Sequence, residues 1–258
     1  MSAGATWPAA LPDGGRHPAL SADEVHVWRA SLDVGEARAR AAEQVLDDAE
    51  LVRAGRFLQE LHRSRFLVGR AALRVLLGRY LGVAPRDVAL VYGEHGKPRL
   101  ASESGGPHPL RFNLSHCGGV ALLAFALGRE VGVDVERPRV GLDAEGIAER
   151  FFSRRESAEL RALPVGQRSS AFASGWTRKE AYLKGLGSGL ARPLAGFSVS
   201  LAAAMATDPV PLEDDAAEGW EIRVLDPGEG YAGALAVERG SGVRVRWLEW
   251  EGAADPRA

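Results

Sequence analysis

Val131-Gly132-Val133-Asp134-Val135-Glu136-Arg137 sets the reading of the whole chain. Three valines alternate with Gly132, Asp134 and Glu136, the period of two expected of a half-buried strand with apolar side chains on one face. Asp134 and Glu136 then point the same way, their Cα atoms roughly 6.6 Å apart at about 3.3 Å rise per residue. Two carboxylates so close repel and raise each other's pKa unless a cation lies between them, and a divalent metal is the simplest such cation. A solvated strand face explains a lone Asp-x-Glu equally well, so the rest of the chain must decide.

Working outward, the region before this strand predicts a strand over 24–32, then helices in two or three pieces over 34–81. Phe57, Leu61, Leu67, Leu73, Val75, Leu76 and Leu77 are their expected core. Arg53, Arg56, Arg63, Arg65, Arg70 and Arg74 stud these helices, as a solvated face or as a flank that receives phosphates. Short strands are predicted over 87–92 and 97–100 around Gly93-Glu94-His95-Gly96, and a pair over 110–115 and 120–126 around Gly118-Gly119. Beyond the central stretch come helices over 145–152, 154–163 and 166–186. Strands over 197–201, 221–225, 231–237 and 243–250 follow, with 205–219 a loop. Each half reads as strand, helices, then several strands. The expectation is an α+β fold of two similar α/β halves related by a pseudo-twofold, with a mobile lead-in over 1–20, an N-terminal half over 21–128 and a C-terminal half over 129–258.

Composition sets limits. The 258 residues suffice to bury a real core, and a 46% hydrophobic and 26% charged make-up is ordinary for a globular chain. A net charge of −2 provides no basic field for nucleic acid or an anionic membrane. Without a long apolar run or a leader-like start, the expected location is the cytoplasm. The single Cys117 excludes an internal disulfide framework and a cysteine-rich zinc site. Among 32 basic side chains only Lys97, Lys179 and Lys184 are lysines, so these mark positions where a compact ammonium matters.

In the helix over 170–186, Phe172, Trp176 and Leu183 mark an apolar side, while Thr177, Glu180 and Lys184 share another face. A Glu four residues before a Lys is a helix-stabilising pair in its own right. Yet Glu180 is also a third carboxylate, and oxygen-only ligation by a few carboxylates plus phosphate oxygens is how proteins hold Mg²⁺.

VGVDVE, followed 46 residues after Asp134 by Glu180 within WTRKEAYLK, resembles the paired signature of 4′-phosphopantetheinyl transferases of the surfactin-synthetase-activating (Sfp) type. FNLSH at 112–116 and GKP at 96–98 are similar to two further motifs, and Arg53–Phe57 with Arg65–Gly69 to a fainter one. The similarity covers about residues 50–200, and the last 55 residues carry no signature. The resemblance implies two α/β halves with coenzyme A between them as substrate. It also implies transfer of the phosphopantetheine arm to a serine of an acyl or peptidyl carrier protein, with release of adenosine 3′,5′-bisphosphate. By the same resemblance Asp134, Glu136 and Glu180 hold Mg²⁺, or Mn²⁺ in its place. Glu180, directly or through a water it orients, takes the serine proton, and Lys184 offsets charge on the leaving phosphate. Lys97, Ser115 and His116 grip the nucleotide, with Arg53 and Arg65 as fainter contacts. Glu50 stands where the family often has a Lys, which unsettles the N-terminal phosphate contacts. A monomer is expected, because one chain supplies both halves.

Three alternatives compete. A metal-dependent exonuclease also opens its site with Asp-x-Glu on a strand, but needs a later His or Tyr shortly before an Asp. No His follows His116, and neither Tyr182 nor Tyr231 has an Asp within the next five residues. Nucleophilic catalysis by Cys117 beside His116 fails because adjacent strand residues face opposite ways. An inactive carrier-binding module is disfavoured by the intact acidic set.

Overall fold

The computed structural model of the chain describes residues 19–94, 96–102, 106–139, 141–187, 189, 192–201, 209–214, 219–240 and 242–250. Most of the expected lead-in over 1–20, His95 and most of the expected loop over 205–219 lie outside the described residues. Among the described residues, twelve strands and six α-helices are formed. The first half holds β1 Glu24–Ser31, α1 Glu36–Ala42, α2 Asp48–Ala54, α3 Glu60–Leu81, β2 Leu90–Tyr92, β3 Pro98–Leu100, β4 Leu110–Cys117 and β5 Val120–Leu127. The second holds β6 Val131–Glu136, α4 Ala144–Phe151, α5 Arg154–Ala162, α6 Val165–Leu186, β7 Ser198–Val199, β8 Pro209–Val210, β9 Leu212–Glu213, β10 Trp220–Leu225, β11 Ala232–Glu238 and β12 Arg244–Trp250. No helix among the described residues is long and apolar enough to cross a membrane.

Two four-stranded sheets, ordered β12-β1-β5-β4 and β6-β11-β10-β8, each carry a 22-residue helix on the outer face. Between the sheets, Val25, Val27, Leu122, Ala124 and Ala126 pack against Val131, Val133, Val135, Leu235 and Val237. Outside the first sheet, Trp28, Phe112, Leu123 and Phe125 pack against α3 residues Leu67, Ala71 and Leu76. Outside the second, Trp220, Ile222, Ala234 and Ala236 pack against Ala181, Tyr182 and Leu183 of α6. The result is helix, sheet, sheet, helix, so the α+β fold of two similar halves holds.

The structure differs from the sequence-based expectation in four places, the first being the expected loop over 205–219, where β8 Pro209–Val210 and β9 Leu212–Glu213 pair with β10 and β7. Arg244–Trp250, assigned above to the C-terminal half, forms β12 and pairs in parallel with β1, from Glu24 opposite Arg244 to Ala30 opposite Trp250. The boundary at 128/129 therefore separates the two sheets except for this strand, which returns to the first. Phe57 and Leu61, expected in the core, are 37% and 52% exposed, because they fall at the α2–α3 junction, where the chain turns over the surface. And β6 is not half-exposed: Val131 to Val135 are all buried, and only Glu136 at its end is half-buried. Its valine face meets the other sheet and its polar face lies under α6, which is why the second face also lost its solvent.

Gly132 makes that cover possible. A Cβ there would lie 2.0 Å from the Ala181 carbonyl oxygen and 2.3 Å from the Gly185 nitrogen, so only glycine lets the helix backbone lie directly on the strand. The contact sets the register of α6 on β6 and brings the face bearing Glu180 and Lys184 over the one bearing Asp134 and Glu136.

Candidate active site at the seam between the two sheets

The site lies where β4, an edge of the first sheet, meets β6, an edge of the second. Two β4 side chains on one face, Asn113 and Ser115, close the seam. The Val133 backbone N–H, unpaired on this edge, donates to Asn113 Oδ1 at 2.9 Å, and Ser115 Oγ donates to Asp134 Oδ1 at 2.7 Å. Sequence reasoning singled out Ser115 for a nucleotide contact and gave Asn113 no role. The shared period-two face of the FNLSH string was the available signal for Asn113.

From α6, Lys184 Nζ donates to the same Asp134 oxygen at 2.6 Å and to Ser115 Oγ at 2.8 Å. Asp134 Oδ2 is buried and has no hydrogen-bond partner among the described residues. Glu136 and Glu180 are half-buried. Burial, reinforced by the Asp134 charge, raises the pKa of both above the usual carboxylate range. The Cys117 thiol donates to Glu136 and is itself pushed up, first by burial and then by that carboxylate, which makes it an inert neighbour rather than a nucleophile.

The three expected carboxylates thus face one another electrostatically. Yet among the described residues no three His, Cys, Asp or Glu side chains close a metal cage by themselves. The donor set nevertheless fits a hard divalent cation. It is oxygen-only and carries a buried, unpartnered Asp134 oxygen, and ions such as Mg²⁺ keep several waters and take substrate oxygens in place of a full protein cage.

Beside the carboxylates lies a cationic cleft. A cavity of about 360 Å³ is lined by Phe57, His62, Arg65, His116, Cys117 and Glu136, and Phe57 also borders a second cavity of about 570 Å³ with Arg53, Arg56 and Phe66. His116 is exposed at the surface, yet protein atoms crowd the imidazole enough to penalise its charged form. That crowding, followed by the charges of Lys184, Arg53 and Arg65, holds its pKa below the ordinary imidazole value. Arg65 is paired with Asp33 through two bonds at 2.7 and 3.1 Å, and the Arg53 guanidinium lies 5.4 Å over the Phe66 ring.

Other expectations find different partners. Lys97 does not face this cleft with a free ammonium: its Nζ donates to Glu130 at 3.0 Å and to the carbonyls of Val131 and Gly185 at 3.3 and 3.1 Å. It ties β3 to the start of β6 and the end of α6. Arg70 and Arg74, counted above in the phosphate-receiving series, are buried instead on Glu50. Glu50 closes a capping box with Asp47 at the start of α2, so the residue that breaks the family pattern is an internal counter-ion. Lys179 is fully buried and donates to Glu156 at 2.9 Å and to the carbonyls of Leu194 and Phe197 at 2.8 and 2.5 Å, on the side of α6 away from the site.

Comparison with known proteins agrees with the motifs. Residues 130–236 match the family model described as the 4′-phosphopantetheinyl transferase superfamily, and residues 30–127 match the one described as 4′-phosphopantetheinyl transferase, N-terminal. The chain is 42% identical over 221 residues to the 4′-phosphopantetheinyl transferase HetI of Nostoc sp. strain PCC 7120, covering 84% of this chain and 89% of that protein. With the 4′-phosphopantetheinyl transferase Sfp of Bacillus subtilis strain 168 it shares 31% identity over 147 residues, 57% of this chain and 62% of that protein. Among solved structures, a holo-(acyl-carrier-protein) synthase from Bacillus anthracis aligns with a TM-score of 0.36 and 21% identity over 43% of this chain and 96% of that one.

Proposed function

The chain belongs to the 4′-phosphopantetheinyl transferase superfamily, and we propose that Asp134, Glu136, Glu180 and Lys184 are the machinery with which it moves the phosphopantetheine arm of coenzyme A onto a carrier-protein serine. The observation that carries this assignment is the convergence of Lys184 and Ser115 on Asp134, with Glu136 on the same strand face and Glu180 one turn before Lys184. Membership displaces the exonuclease alternative, and a relative named as a transferase at 42% identity over most of the chain weighs against an inactive module.

Asp134, Glu136 and Glu180 would hold Mg²⁺, which when bound polarises the pyrophosphate and offsets its charge. Glu180, with its pKa already raised by burial and by Asp134, suits proton removal from the attacking serine hydroxyl near neutral pH. Lys184 carries a mobile ammonium to the leaving phosphate oxygen, where charge grows as the bond to the phosphoryl group breaks. His116 on β4, Arg53 on α2 and Arg65 on α3 line the cleft from the first half and suit the remaining phosphate of the nucleotide, including its 3′-phosphate. Lys97 is withdrawn from that set: with its ammonium engaged by three protein oxygens, it holds the ends of β6 and α6 in place.

The same reading makes the protein a monomer of the cytoplasm, acting on acyl or peptidyl carrier proteins. Both sheets that frame the cleft come from one chain, and the single Cys117 is free. The test is the intact mass of a panel of apo carrier proteins after incubation with the protein, coenzyme A and Mg²⁺. A gain of one phosphopantetheine is expected on at least one carrier, and is expected to vanish with chelator and to fall about 100-fold or more in rate in Glu136→Gln and Glu180→Gln. No gain on any carrier would refute the reading, and full activity of both variants would refute the assignment of the carboxylates.

A further inference from the structure

The two oxygens of Asp134 are treated very differently. Oδ1 receives both the Ser115 hydroxyl at 2.7 Å and the Lys184 ammonium at 2.6 Å, whereas Oδ2 is buried and takes no hydrogen bond among the described residues. Ser115 accepts from Lys184 at 2.8 Å while donating to the carboxylate, so the three groups form a closed triangle that seats the ammonium. The Asp134 side chain is 5% exposed and that of Lys184 30%. The ammonium therefore sits at the boundary, able to leave toward solvent, while the carboxylate cannot.

The arrangement has a consequence for any cation that approaches Oδ2. It meets a carboxylate whose charge is already offset by an ammonium, and is repelled by that ammonium across a few ångströms of low-dielectric interior. Removing the ammonium restores the full charge of Asp134 and abolishes the repulsion. A lysine is suited to such a displacement, being a point charge on a flexible stem with three donors, only two of which are spent here. A substrate phosphate beside α6 gives it somewhere to go.

We propose that Lys184, seated by Ser115, is an electrostatic gate on the metal site. It keeps divalent-ion affinity low in the coenzyme-free protein, and a coenzyme phosphate, by drawing the ammonium off Asp134, opens the carboxylate to metal. Metal and coenzyme A then bind cooperatively, each tightening the other by the same factor. The proposal rests on the assignment of Asp134 as a metal ligand made above and adds an order to it: the site is blocked until substrate arrives.

The experiment is titration of the full chain with Mn²⁺, followed by the electron paramagnetic resonance of the free ion, with and without coenzyme A. In the coenzyme-free protein, Lys184→Met and Lys184→Gln are expected to bind Mn²⁺ about tenfold tighter or better than wild type, given the repulsion between cations this close. Lys184→Arg, which keeps the charge, should stay near wild type. Because the coenzyme's own phosphates also chelate Mn²⁺, the gate is read as a difference: coenzyme A should tighten Mn²⁺ binding more in wild type than in Lys184→Met. Thermal melts identify which variants fold, and either neutral variant suffices. Unchanged or weaker Mn²⁺ affinity in a folded neutral variant overturns the gate alone. No Mn²⁺ binding by any form, even with coenzyme A, overturns the metal assignment as well, while wild-type carrier modification reports on the transfer activity separately.

Discussion

Replacing Gly132 by alanine adds one methyl group where β6 and α6 touch. Its Cβ would lie 2.0 Å from the Ala181 carbonyl oxygen, 2.3 Å from the Gly185 nitrogen and 2.8 Å from the Gly185 Cα, all of them backbone atoms that no rotamer change can move. Ordinary contact lies near 3.5 Å, so the helix must retreat by about 1 Å or more. It has little freedom to do so, since a Cβ on Gly185 would already lie 2.4 Å from the Trp220 ring and α6 is clamped by buried Lys179. Overpacking of this kind costs about 1 to 3 kcal/mol of stability. The larger effect should be on activity, because the displaced helix carries Glu180 and Lys184, and a misplacement of about 1 Å at reacting groups can cost about 100-fold in rate. The assay is kcat on an apo carrier at saturating coenzyme A, beside a thermal melt, with Gly166→Ala on an open stretch of the same helix as control. Gly132→Ala retaining kcat within about twofold of wild type would refute the idea that this contact positions the site.

Other outcomes follow from the cleft and the core. His116→Ala should lower kcat/KM for coenzyme A by about 10- to 150-fold, the worth of one charge-assisted bond, and leave dephospho-coenzyme A nearly unaffected. A protonated imidazole makes that bond and its pKa in the free protein is lowered, so the wild-type preference in kcat/KM should fade as pH rises through a value below the ordinary imidazole pKa. Equal loss with both substrates would make His116 structural. Glu50→Gln removes the buried carboxylate that Arg70 and Arg74 share, leaving Arg74 with Asp47 and Arg70 with no carboxylate partner among the described residues, and breaking such a buried pair costs roughly 3 to 5 kcal/mol, or a fall of about 10 °C in Tm for a chain of this size. A melt within a degree or two of wild type would show that the three charges are not a stability node.

The fold was legible wherever pattern is local. The valine alternation of β6 and the helical runs over 34–81 and 166–186 each fell within a few residues of the observed elements, because backbone periodicity needs no information from elsewhere in the chain. The placement of the candidate carboxylates was legible for the same reason: Asp134 and Glu136 share a strand face and Glu180 and Lys184 a helix face. Partner choice was not legible. Arg70 and Arg74 look like Arg53 and Arg56 in sequence, yet only the first two lie against Glu50, a fact fixed by how α2 packs on α3. Lys97 and Lys179 were rightly marked as unusual, but the oxygens they bind lie 15 to 88 residues away. Phe57 and Leu61 obeyed helical spacing and still ended outside, since the spacing names a face without saying what covers it.

The strand pairing of β1 with β12 joins residues 220 positions apart. As the polypeptide leaves the ribosome, β1 therefore waits with one edge bare through the making of nearly the whole second sheet. An unpaired edge is a template for any passing strand, so the nascent first half is at its most vulnerable to misassembly during that interval. Closure then comes late and all at once, as a long-range contact of the kind that slows folding. Permuted chains that begin at β12 and run directly into β1 would turn this late event into an early one.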